Sequence, residues 1–150
     1  MHVLAPQPPN LEIPIFFNVN SSVGRGGANS NIEDILLVQF LIRKVGETAS
    51  ARVSADKKAR MLKVQTTGTC GEDTIDGIKA TQEHIRQGKP GTVVDGRVSP
   101  ARGYDYGGGG SWIIVFLNMQ MRLAFPRIWP RLQDFADCPP QLKAKFQEVL

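Results

Sequence analysis

Seven side chains in this sequence could together hold a ligand: Glu72, Asp73, Arg97, Arg102, Tyr104, Tyr106 and Trp112. Arg97 and Arg102 carry planar guanidinium forks that can meet a carboxylate with two parallel hydrogen bonds. Tyr104, Tyr106 and Trp112 cluster around the glycine run Gly107–Gly110 and offer flat apolar faces. Such faces with a few fixed polar groups are what a small-molecule groove needs. Glu72 and Asp73 stand where a helix should begin and can accept hydrogen bonds from ligand amides. Each also has a plain structural reading. Trp112 suits packing at a helix start, Asp95 suits a turn, and Glu72 and Asp73 suit the positive end of a helix dipole. Gln39 and Gln82 read as buried amides that fix loops, since a buried amide must be satisfied.

Catalytic chemistry finds no comparable constellation. His2 falls in a proline-rich start, and His84 sits between Glu83 and Arg86 on a helix with no cysteine or serine partner implied nearby. Asp73 with Asp95 or Asp105 could be drawn as a carboxylate pair, but nothing in the spacing prefers it. The glycine-rich stretch Ser22–Asn29 lacks the lysine and hydroxyl of a phosphate loop and the spacing of a dinucleotide site, so it reads as a tight turn. Cys70 and Cys138, even joined by His2 and His84, match no zinc pattern. They are expected as a single disulfide or as two reduced thiols. No metal, no cofactor and no enzyme activity is expected.

The elements that must position these residues follow from periodicity. The 150 residues are 41% hydrophobic and 21% charged, enough for one cored domain. The net charge of +4 tolerates an anionic partner without requiring nucleic acid. The loose basic concentration Arg43, Lys44, Arg52, Lys57, Lys58, Arg60 and Lys63 reads as solvated helix end and loop. Pro6, Pro8, Pro9 and Pro14 make an extended arm, followed by Ile15–Val19 as a short strand or a segment across the core. A first helix is predicted with Ser30 as cap, Glu33 completing a capping box and Gly46 as its stop. Residues 47–61 read as a loop with at most a helical turn. A second helix begins after Gly71 and ends at Gly88–Gly91. Thr92–Val98 reads as two strands around the Asp95-Gly96 turn. A third helix is predicted over 112–125, capped by Ser111 and stopped by Pro126. A short tail helix puts Leu142, Phe146 and Val149 on one face.

Two segments repeat a loop-plus-helix pattern: Gly68-Thr69-Cys70-Gly71-Glu72-Asp73-Thr74-Ile75, and Gly96-Arg97-Val98-Ser99-Pro100 leading to Ser111-Trp112. With Leu37-Val38-Gln39-Phe40-Leu41 before them, Asp76-Gly77-Ile78-Lys79-Ala80-Thr81-Gln82 between them and Trp112–Asn118 after them, the order over about residues 22–118 resembles the peptidoglycan-binding-like domains of bacterial proteins. The Ser22–Asn29 lead-in is similar to that of short bacterial members. The resemblance implies a mainly α, compact three-helix fold with a short β-hairpin over residues 22–125, flanked by an extended N-terminal arm (1–21) and a C-terminal helical tail (126–150). It implies a non-catalytic module that binds peptidoglycan glycan or stem peptide. The alternative is a structural or adaptor protein of a phage tail or contractile secretion apparatus. There the arm and a tail bearing Trp129, Phe135 and Phe146 would dock on a protein partner.

Met1–Pro6 shows no basic region followed by an apolar core, so no secretory signal is expected. The longest apolar run, Trp112–Leu117, is far short of the roughly 20 residues a span needs, so no membrane insertion is expected. The expected location is cytoplasmic at synthesis, with delivery to periplasm or wall by another route.

Overall fold

The computed structural model describes residues 1–5, 15–48, 51–102 and 113–150. Its centre is α1 (Ile32–Gly46), which is apolar on nearly every side. Residues Asp34 to Ile42 are buried without interruption, because other helices and a strand pack around this helix. Its cap is Asn31, one residue beyond the expected Ser30; the Asn31 side chain accepts from the Asp34 N–H at 3.1 Å. Asn31 takes the extended conformation that a cap requires.

Around α1 lie α2 (Ala55–Leu62), α3 (Glu72–Gly88), α4 (Ile113–Ala124) and α5 (Pro140–Val149), with a 3-10 turn at Leu132–Asp134. Helices dominate, as predicted, but the described residues form five where three plus a tail were expected. The addition is α2, in the stretch read as loop. Met61 is its one fully buried residue, so it shows no apolar stripe in sequence. Polar ties hold it instead. Arg43 donates to the carbonyls of Leu62 (2.8 Å) and Val64 (3.2 Å), and Lys58 donates to the Thr48 carbonyl at 2.9 Å. Arg60 grips Asp76 (2.9 Å) and Glu83 (2.6 Å) on α3.

The described residues also form two small antiparallel pairs: β1 (His2–Leu4) with β2 (Phe16–Asn18), and β3 (Val23–Gly24) with β4 (Arg97–Val98). The predicted hairpin around Asp95-Gly96 does not form. Val98 pairs with Val23 and Arg97 with Gly24, while residues 92–94 form no strand. The reason lies in α3: the Gln82 side chain takes the N–H groups of Asp95 and Gly96 for itself.

One apolar cluster runs through the molecule. Met1, Phe16 and Phe17 from the start share it with Leu132, Phe135, Cys138, Leu142 and Phe146 from the end. Phe17 meets Phe146 edge-on at 4.9 Å and Trp129 at 5.4 Å. Phe135 and Phe146, expected to face a protein partner, are therefore core residues, and Trp129 is half-buried against Phe17. Lys44 is held in the same region, its ammonium over the Phe135 ring at 4.5 Å and paired with Glu47 (2.9 Å) and Asp137 (3.2 Å). Both cysteines are free.

Candidate functional site

Two buried glutamines build the loops around which the site is formed. Gln39 on α1 accepts from the Gly68 N–H at 3.0 Å and donates to the Thr69 carbonyl at 3.0 Å. It also donates to Thr67 Oγ1 (3.3 Å) and Thr74 Oγ1 (3.0 Å). Gln82 on α3 repeats the arrangement one loop later. It accepts from the Gly96 N–H at 2.9 Å, and donates to the Arg97 carbonyl at 3.1 Å and to Asp95 Oδ1 at 2.9 Å. In each loop the residue before the glycine accepts from the N–H of the residue after it: Thr67 Oγ1 from Thr69, and Asp95 Oδ1 from Arg97. The central glycines have φ of +79° (Gly68) and +72° (Gly96), the left-handed region in which a side chain is strained. The repeated loop seen in the sequence is thus a repeated amide clamp, and both glutamines fill the loop-fixing role read for them.

The second clamp presents Arg97. Its strand lies against β3 so closely that a Cβ on Gly24 would come within 2.1 Å of the Gly96 carbonyl oxygen. Gly24 is held from the other side by Asn29, which accepts from its N–H (2.8 Å) and donates to its carbonyl (2.9 Å). The glycine-rich stretch is therefore a structural turn.

An open cleft of about 590 Å³ lies over this junction. Arg97 and Arg102 line it together with Asn20, Ser21, Ser22 and Ser99. Both arginines named from the sequence reach one cavity. Arg97 is partly answered by Asp95 at 3.6 Å, and no ion pair joins Arg102 to a described residue. The cleft walls are fixed from beneath. Asp34, fully buried and paired with the Met1 amine, accepts from the N–H groups of Asn20 and Ser21 and from the Ser21 hydroxyl. On the opposite wall, the Asn18 amide accepts from the Ala101 N–H and donates to the Ala101 carbonyl, each at 3.0 Å.

The other expected ligands are not brought in. Glu72 and Asp73 are exposed at the start of α3 and do not line the cleft; Glu72 reaches Arg25 at 3.9 Å. Tyr104, Tyr106 and Trp112 lie outside the described residues. Asn20, Ser21, Ser22 and Ser99 were not read as lining residues, because small polar loop residues carry no pattern that marks a site; the Ser22–Asn29 turn and the repeat through Ser99 were the signals at hand.

Elsewhere the titratable groups are structural. Burial pushes the Cys138 thiol up to about 11, with Lys143 opposing and Asp137 adding to the shift. Burial raises Cys70 too, against a hydrogen bond to the Gly24 backbone. His84 is held below its ordinary value by burial and then by Lys57, with the Ala51 backbone opposing; its ring lies 5.8 Å from that of Phe116. Of the basic concentration at 43–63, Arg43, Lys44, Lys58 and Arg60 are all engaged internally. Among the described residues no group of three or more potential ligands could hold a metal.

No protein-family model, no curated protein and no solved structure matches the chain. No helix among the described residues is long and apolar enough to cross a membrane.

Proposed function

We propose that this chain is a non-catalytic module that binds bacterial cell-wall peptidoglycan through the cleft between residues 20–22 and 97–102. The observation that carries the reading is the convergence of Arg97 and Arg102 on one open cavity lined by hydroxyl and amide groups. Such a surface can hydrogen-bond the amides and hydroxyls of a peptidoglycan fragment while meeting its carboxylates with guanidinium. The non-catalytic part of the reading is supported by the thiols, which burial holds in the protonated, unreactive form, and by His84, which lies away from the cleft. The basic residues engaged within the fold argue against a general polyanion-binding face.

The test is retention of the purified protein on insoluble peptidoglycan sacculi at low and high salt. The native chain is expected to stay bound at high salt, and the Arg97→Ala, Arg102→Ala double variant to wash off. Absence of retention, or retention that salt removes equally from both proteins, would overturn the proposal. The adaptor alternative needs another surface, since Phe135 and Phe146 are in the core.

A further inference from the structure

The repeated clamp supplies an internal comparison. In its first copy the positions flanking the glycine are Thr67 and Thr69; in its second they are Asp95 and Arg97. The threonines supply an oxygen before the glycine that accepts from the following N–H, and a backbone carbonyl after it for the glutamine. Neither the carboxylate of Asp95 nor the guanidinium of Arg97 is thus required by the fold of the loop. The second copy nevertheless carries both, 3.6 Å apart, with Arg97 on the cleft. Asp95 Oδ1 is committed to Gln82 and to the Arg97 N–H, so Oδ2 is left to orient the guanidinium. Arg102 adds a second cation to the same cleft, and among the described residues no acidic side chain lines it.

From this comparison we infer that the cleft is a receptor for a single carboxylate at a free peptide end or side chain. Arg97 is presented by Asp95, and Arg102 supplies a charge that no described residue answers. The inference rests on the peptidoglycan reading and narrows it: the ligand is the stem peptide in its free-acid form, and the amidated form is disfavoured. Among the described residues one cation is answered by Asp95 and the other by none, which suits a monoanion. A neutral primary amide in its place would bring N–H donors against guanidinium donors and lose the charge.

The full chain would be titrated calorimetrically with an N-acetylated stem tetrapeptide bearing free carboxyls, and with the same peptide amidated at every carboxyl. The free acid should bind about tenfold or more tightly than the amide. Arg97→Ala and Arg102→Ala should each erase most of that ratio. Arg97→Lys should keep part of it, since charge remains without the fork. Arg25→Ala, which removes an exposed arginine outside the cleft lining, should leave it unchanged. Thermal melts of each variant check that folding is intact. Equal affinity for acid and amide, or loss of the ratio in Arg25→Ala as much as in Arg97→Ala, would overturn the inference. Sacculus retention measured in parallel separates the two readings. Retention with no acid preference removes the carboxylate receptor alone; acid preference without retention removes the wall-binding role alone.

Discussion

Gln82 shows how much one side chain can organise. Its amide forms four hydrogen bonds across residues 95–97, and its nearly complete burial leaves water little room to replace them. Gln82→Ala should destabilise the protein by about 2 kcal/mol, because the buried Gly96 N–H loses its acceptor. A urea denaturation midpoint unchanged from the native protein would show that the clamp is not what holds the loop. Cys138 makes a second prediction at this scale. Its folded-state pKa of about 11 lies above the ordinary 9.0, so the folded state keeps its proton longer than the unfolded state. The associated stability is fully present below pH 9 and is lost as pH rises toward 11. Urea midpoints between pH 8 and 11 should fall less steeply in Cys138→Ala than in the native chain; parallel profiles would refute the assignment. The arginines of the cleft were legible in the sequence because their chemistry is distinctive. Asp95 was legible as a turn residue, but its pairing with the Arg97 side chain was not, since that depends on which rotamers the clamp imposes.

Among the elements, α1, α3 and α5 could be read from apolar residues that recur at helical spacing, and α4 from an apolar run too long for a strand. α2 could not, because Arg43, Lys58 and Arg60 fasten it through polar groups, and polar periodicity does not distinguish a docked helix from a solvated loop. The misplaced hairpin has a similar cause. Asp95-Gly96 is a local turn signal, whereas the partner of Val98 is Val23, 75 residues earlier, and no local pattern points that far. The contact of α2 and α3 near Gly77 makes a test. A Cβ at Gly77 would stand 2.3 Å from Val64 Cγ2, so the residue leading out of α2 sits directly on the α3 backbone. Alanine improves helix propensity by about 1 kcal/mol, yet the clash should outweigh it. Gly77→Ala is expected to lower stability by about 1–3 kcal/mol net, read as a lowered melting temperature. A rise in melting temperature would mean that the two helices can separate freely.

At the scale of the molecule, the beginning and end of the chain meet in one core. Phe146→Ala should cost about 3–5 kcal/mol, because the ring is fully buried against Phe17. A single cooperative transition at lower temperature is expected by calorimetry; two separate transitions would mean that the tail melts independently. The same β2 strand also governs the cleft. Asn18 grips Ala101 in one wall, and the chain leaving β2 delivers Asn20 and Ser21 into the grasp of Asp34 in the other. The spacing of these two walls is thus set before any ligand arrives. Recognition by such a seat resembles a key entering a cut lock. If the cleft binds as proposed, little chain entropy would be left to surrender, the competent shape would be the resting shape, and affinity would be governed by how slowly the complex comes apart.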